Sequence, residues 1–544
     1  MRLFGFYESY DGYLNNPGTP RENGQRTESS SDIGEGDQYG VRATIAGDIT
    51  DRLSTFITLR HNELDGPNNT WIRELDGDFE YGNTVDVSFN PRHLRDTQGA
   101  SVQFDYDFDD VLATLITSYT QTDSERDTEL DMDKEWVLDL FRPEEFEAKT
   151  VEFRLSSQND APLQWQAGVY ALDLTRDLSS VLNVRGGYCF LDPGDCSPQP
   201  PSNDNEIQAV LPFEVSLKER EQLAAFANIT YRFNDWEFSA GIRADDWESK
   251  RTNVDTGLSG TQTDTEILSR ASLTWFDPDS DSIVYGTFSQ GFEPGDLNLA
   301  NFSGENTLFG YDAEKANQYE VGYKGRINDS KVAITAAAFY IDYQDRQFEL
   351  QTTDPAGGFV EGIINLGDST QWGLESDVIY LINDNWTATV GVGYVNAEWN
   401  DGVISPVSGV DLSGQRPPNT AEISGTFALD YETEIDSGAL LSARIQTRYK
   451  GDSSTNSQFF DMPGDDFPYW ENPSFVVVDI GGAIQWSSWE ARLHIENIFD
   501  EEYYIDVQEF PNFAGTALSG NPGSIIVGSL EQPRRAVLSL SYDF

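Results

Sequence analysis

The side chains able to bind a metal, move protons or attack a substrate are few and poorly arranged for it. The chain of 544 residues has three histidines, His61, His93 and His494, and two cysteines, Cys189 and Cys196. The histidines are scattered, and His494 falls on the polar face of residues 489–495, which suits a wall-lining place better than a catalytic one. There is no Walker-type or dinucleotide glycine loop and no His-Glu-x-x-His pattern. Carboxylate pairs such as Asp245/Asp246 are too common, with 93 Asp and Glu against 35 Lys and Arg, to single out acid–base chemistry. We expect no enzyme and no catalytic, cofactor or metal site. The cysteines stand in Cys189-Phe190-Leu191-Asp192-Pro193-Gly194-Asp195-Cys196, where Pro-Gly makes a turn that could bring the sulfurs together. A disulfide there fits an oxidising compartment, whereas zinc would want a histidine or a second cysteine pair nearby. The formal net charge of −58 argues against a nucleic-acid partner, because phosphate binding needs a basic surface.

Binding chemistry is better represented. Phe459, Phe460, Asp465, Asp466, Tyr469 and Trp470 crowd one polar stretch. Aromatics give contact area, and carboxylates suit a cationic or hydroxyl-rich ligand. The same rings could instead pack the loop itself.

Strands must position these groups. In the last eleven residues, Ala536, Leu538, Leu540, Tyr542 and Phe544 fall on one face and Arg535, Val537, Ser539, Ser541 and Asp543 on the other. On a soluble edge strand that apolar row invites aggregation; in a closed membrane barrel it meets lipid. The plan recurs in strands of about ten residues. Trp236, Phe238, Ala240, Ile242 and Ala244 alternate with polar or small partners, as do Tyr319, Val321 and Tyr323, and Leu441, Ala443, Ile445, Thr447 and Tyr449. Ala333–Tyr343 is apolar on both faces and gives no orientation. Hydrophobic residues make up only 38% of the chain, and no run approaches the ~20 apolar residues of a spanning helix. Short Asn/Asp/Ser/Pro turns (50–52, 159–162, 234–235, 277–281, 328–330, 383–385, 487–488) alternate with long polar stretches, among them 124–148, 176–216, 251–265, 346–370 and 451–473. The expected fold is all-β: a transmembrane antiparallel up-and-down β-barrel of about 20 strands, with short periplasmic turns and long extracellular loops.

Several motifs then resemble one family. Asn497-Ile498-Phe499-Asp500-Glu501-Glu502-Tyr503-Tyr504 is similar to the Asn-Leu-Phe-Asp-x-x-Tyr-Tyr signature of TonB-dependent outer-membrane receptors. Gln290–Asn298 resembles their Gly-Phe-x-x-Gly-x-x-Asn segment, and Tyr319-Glu320-Val321-Gly322-Tyr323-Lys324 their Tyr-Glu-x-Gly-Tyr-Lys strand. Tyr542 and the terminal Phe544 resemble the C-terminal assembly signal of outer-membrane proteins. Asn497 and Asp500 are expected to cap a bend, with Tyr503 and Tyr504 anchoring at the membrane interface.

The resemblance implies a bacterial outer-membrane receptor for uptake of a scarce bulky nutrient, most often a ferric siderophore, with haem, cobalamin or glycans as alternatives. It implies no cofactor. Its partners would be the TonB–ExbB–ExbD complex, outer-membrane lipid and lipopolysaccharide, and the barrel-assembly machinery. The family joins a barrel of about 22 strands to an N-terminal plug and a TonB box. Residues 1–544 read as barrel alone, without plug, box or the first two strands, and residues 1–30 contain no signal peptide. We therefore expect the chain to begin partway into its parent. Two other readings stay open: a passive porin-like channel, and a secreted soluble β-rich enzyme or adhesin.

Overall fold

The computed structural model describes residues 1–16, 30–68, 72–73, 84–85, 87, 89–130, 138–184, 207, 209–328 except 301–306, 330–353, 359–406, 409–455, 471–511, 524–531 and 533–542. Cys189, Cys196, Phe459, Phe460, Asp465, Asp466, Tyr469, Trp470 and Phe544 lie outside the described residues.

One antiparallel sheet of twenty strands dominates. In chain order these are β1 (Arg2–Tyr10), β2 (Gly36–Thr50), β3 (Leu53–Pro67), β4 (Arg92–Asp107), β5 (Val111–Glu129), β6 (Leu138–Ser157), β7 (Leu163–Val184), β8 (Ala209–Phe233), β9 (Trp236–Asn253) and β10 (Ser259–Phe276). The second half holds β11 (Ile283–Glu293), β12 (Glu314–Ile327), β13 (Val332–Thr353), β14 (Phe359–Leu381), β15 (Trp386–Trp399), β16 (Ile423–Glu434), β17 (Leu440–Lys450), β18 (Phe475–Trp486), β19 (Trp489–Glu496) and β20 (Arg535–Tyr542). Each pairs with the next in sequence, from Arg2↔Thr44 at the start to Trp489↔Tyr542 at the end. This is a pure meander. Its tight turns sit where the Asn/Asp/Ser signals are, and Asn234 (φ 51°), Asn328 (φ 56°) and Ser487 (φ 52°) take the left-handed conformation such turns need.

The apolar rows are uncovered by protein. Leu223, Ile242, Ile267 and Val321 are each more than half exposed on the outer face, as are Leu538 and Leu540. A water-facing sheet would not leave so many large side chains open. A hydrocarbon-facing one must, because its solvent is lipid. Pairing also orients the segment that the sequence leaves ambiguous. Tyr340 sits opposite Tyr319 and Ala338 opposite Val321, so Ala336, Ala338 and Tyr340 share the outer face. Phe339 then points inward, over Gly373, where a side chain would collide with its ring.

The strands are longer than expected. β8 has 25 residues and β14 has 23, whereas crossing the hydrocarbon takes about 9–11. The described residues of 124–148, 176–216, 251–265 and 346–370, stretches read above as loops, are largely strand; between β9 and β10 only residues 254–258 remain as connection. Above the lipid both faces of a strand meet water, so apolar alternation vanishes while backbone pairing continues.

The two ends of the sheet meet through the loop layer. Leu14 and Ile33, from the β1–β2 connection, pack with Val85 and Val87 and with Tyr504, Val507 and Leu530 from the β19–β20 connection. Tyr13 Oη donates to Leu530 O at 3.1 Å, and Ile72 pairs with Gly528. The meander thus curls into a ring, and its inner face lines a lumen.

On the outer face above the lipid band, register sets Glu63, Asp96, Asp123, Glu145 and Asp177 side by side on five adjacent strands. Like charges directly opposite each other destabilise a sheet. Asp123→Asn should therefore raise stability by up to about 1 kcal/mol at low ionic strength, a gain that shrinks as added salt screens the row. Urea unfolding at two salt concentrations checks this.

Candidate functional site

The inner wall above the lipid band carries an arrangement that the sequence does not announce. Outward-facing Phe104, Leu115, Phe153 and Val169 fix the parity of β4 to β7. The opposite parity places His93, Arg126 and Arg142 in one cross-strand row facing the lumen. Beside it run Arg95, Ser124 and Glu144. Arg176 of β7 reaches Glu144 at 2.8 Å. Further round, Lys218 and Arg220 of β8 and Arg251 of β9 continue the same face. Seven cations thus line one sector of the wall, and carboxylates that engage them include Glu144, Glu214 and Asp296.

The electrostatic consequence shows on the neighbours. His93 is held below its usual pKa by burial first and then by the charges of Arg126 and Arg95. Burial alone would push the Glu144 carboxyl up, yet the hydrogen bond and charge of Arg176, with Arg126 and Arg142, bring it below the ordinary value. Beyond burial, the arginine charges act on both groups in the sense of a positive potential. Among the described residues Arg95 Nε is moreover buried without a hydrogen-bond partner. In a chain of net charge −58 this sector is cationic, and what it can do is attract and orient an anion.

Lower on the wall, Arg243 grips Asp245 with two 2.7 Å bonds and lies 5.5 Å over the Tyr170 ring. A hairpin of the β11–β12 connection, Asp296–Ala300 against Thr307–Tyr311, folds onto the inner wall. Gly295 and Asn298 of the Gln290–Asn298 motif act there. A side chain at 295 would meet Tyr311 O, and Asn298 exchanges bonds of 2.7 and 2.8 Å with Ile363 O and N.

Asn497, at φ 50°, exchanges two 2.8 Å bonds with the Glu501 backbone, and its own N–H donates to Asp479. Asp500 accepts from Arg534 N at 2.8 Å. Phe499 is exposed. Tyr503 and Tyr504 correct the expectation of interfacial anchors. They are 7% and 1% exposed, Tyr503 stacked on Phe475 and Tyr504 inside the loop cluster. The reason is that the chain turns inward after the Asn497 bend. His494 lines a cavity of about 490 Å³ with Arg448, Asp479, Asn497 and Arg535. His61, scattered in sequence, comes within 4.8 Å of Glu63 and Asp96 on the outer face, ligand atom to ligand atom. Tyr542 packs against Trp489 at 4.7 Å between ring centres.

A family model described as TonB dependent receptor-like, beta-barrel, matches residues 2–498. A probable TonB-dependent siderophore receptor, PiuA of Acinetobacter baumannii, is 22% identical over 286 residues, 49% of this chain and 35% of that protein. The match thus spans about a third of the relative's length. Among solved structures, the ferric yersiniabactin uptake receptor FyuA from Yersinia pestis superposes with a TM-score of 0.74 at 17% identity, over 100% of this chain and 75% of that one. The siderophore receptor PiuA from A. baumannii gives 0.71 at 16%, over 95% and 76%. At such identities the likeness is one of fold.

Proposed function

Because the chain belongs to the TonB dependent receptor-like β-barrel family, we propose that it forms the barrel of an outer-membrane receptor for TonB-energised uptake of a ferric siderophore. The single observation that carries the ligand class is the cationic sector of the inner wall, from Arg95 to Arg251. Ferric complexes of catecholates and hydroxycarboxylates carry net negative charge, and a confined positive potential raises the local concentration of such anions. The names of the relatives, which specify siderophores and ferric yersiniabactin, support the same class. Binding would be followed by movement of a plug driven by the TonB–ExbB–ExbD complex, with no covalent step. Lipid and lipopolysaccharide would cover the exposed apolar rows. Tyr542 and Phe544 would address the chain to the barrel-assembly machinery, and a Cys189–Cys196 bridge would form in the oxidising periplasm. Phe459, Phe460, Asp465, Asp466, Tyr469 and Trp470 would contribute ligand contacts.

The test is binding calorimetry of the full parent protein against ferric catecholate, hydroxycarboxylate and hydroxamate complexes, with haem and cobalamin as competitors. Tight binding of an anionic ferric complex is expected. Binding of haem or cobalamin alone would overturn the ligand class. A passive channel would instead bind none of the panel and conduct ions steadily in planar bilayers.

A further inference from the structure

We propose that Lys218, Arg220 and Ser249 form an oxyanion site which the chain fills with its own Asp296 carboxylate, and that a carboxylate-bearing ferric chelate entering the lumen takes that place and frees the hairpin. Displacement by a chelate rests on the uptake reading; the oxyanion site stands without it.

Asp296 is 1% exposed. One of its oxygens accepts from Ser249 Oγ at 2.6 Å and from the Leu297 N–H at 2.8 Å. The other meets the Lys218 ammonium and Arg220 Nη2, the latter at 3.3 Å. Four donors on one buried carboxylate are what an anion-binding pocket offers a ligand. The cations come from the wall, not from the hairpin, and they lie above the lipid band, since the outward apolar row of β8 begins at Leu223.

The site has positive charge to spare. Burial, with the nearby Arg220 and Arg251, holds Lys218 below its usual pKa despite the pull of Asp296. The same burial would raise the Asp296 carboxyl, but Lys218, Ser249 and the Leu297 N–H bring it below the ordinary value. Among the described residues the Nε atoms of Arg220 and Arg251 are buried without an acceptor. A single monoanion therefore leaves donors unused, and a ligand with two or more acid groups would use them. That favours a chelate with free carboxylates over a neutral one.

The hairpin is also built to leave. Its two strands pair only with each other among the described residues, not with the barrel. It is fastened by side chains: Asp296, Arg251 to Leu297 O at 2.7 Å, Gln262 to Tyr311 O at 2.7 Å and the Asn298 pair with Ile363, with Leu297 and Leu299 buried beneath. These fastenings can break without disturbing the barrel's own backbone pairing.

Hydrogen exchange of the amides at 307–311, read by mass spectrometry on the full chain in micelles, tests both halves. Asp296→Ala should speed their exchange roughly tenfold or more, and excess formate should slow it again by filling the vacated pocket. Formate should leave the wild type unchanged. Should Asp296→Ala not fold, Asp296→Gly, which also vacates the pocket, gives the same comparison. Exchange equal to wild type in the variant, or no response to formate, overturns the oxyanion site. Ferric citrate added to the wild type should speed exchange at 307–311. Unaltered exchange at saturating ferric citrate overturns displacement. A chelate panel that fails to bind at all overturns the uptake reading, while formate rescue would still establish the site.

Discussion

Replacing Arg95 and Arg126 together by glutamate should weaken binding of an anionic ferric complex by at least about 100-fold, since each charged hydrogen bond is worth roughly 1.5–3 kcal/mol. Both side chains face the lumen on adjacent strands, next to His93, Arg142 and Glu144. Among the described residues Arg126 reaches His93 at a long 3.4 Å and Arg95 Nε is buried without an acceptor. Reversal also adds repulsion in a sector where the potential now favours anions. The control is Lys149→Glu. Lys149 is outward and exposed, paired with Glu147, and its reversal should change affinity by less than about twofold because water and salt screen it. Calorimetry with a ferric tris-catecholate checks both. Unchanged affinity in the double variant would remove the wall from the ligand's path.

The second large effect is on the lipid face. Val321→Arg should destabilise the barrel by about 2–4 kcal/mol, the cost of a basic residue near the bilayer midplane. Val321 is 62% exposed, opposite Ala338 and two residues from Tyr319 and Tyr323, with no protein above it. Gln318→Arg is the matched control. Position 318 faces the lumen beside Glu320, where water solvates the new charge. Urea unfolding in vesicles should separate the two variants clearly. Equal stability would mean that the row holding Val321 does not meet hydrocarbon.

What the sequence discloses follows from which solvent each residue meets. Within the lipid band one face must be apolar and the other is free, so strands such as 236–244, 318–326 and 441–450 can be read residue by residue. Ala333–Tyr343 cannot, because its inward face is apolar too; only its pairing with β12 settles the orientation. Above the band both faces are wet and the alternation stops. There β5 and β6 continue through residues whose polarity suggests loop, and that continuation places Arg126 and Arg142 on the inner wall. The signal was present as parity: each of Arg95, Arg126, Arg142, Arg176, Lys218, Arg220 and Arg251 continues the non-lipid phase of its own strand. Contacts made across strands or between loops carry no local signature. The approach of His61 to Asp96, the burial of Tyr504 among Leu14 and Val507, and the seating of Asp296 on Lys218 are of this kind.

Spin labels placed one at a time at positions 318 to 324 measure the two-faced strand most directly, through relaxation by lipid-soluble oxygen and by a water-soluble nickel chelate. A membrane-spanning strand requires a period of two: labels at 319, 321 and 323 relaxed by oxygen, and labels at 318, 320, 322 and 324 relaxed by nickel. Uniform relaxation by nickel along the strand would contradict it, and with it the membrane barrel.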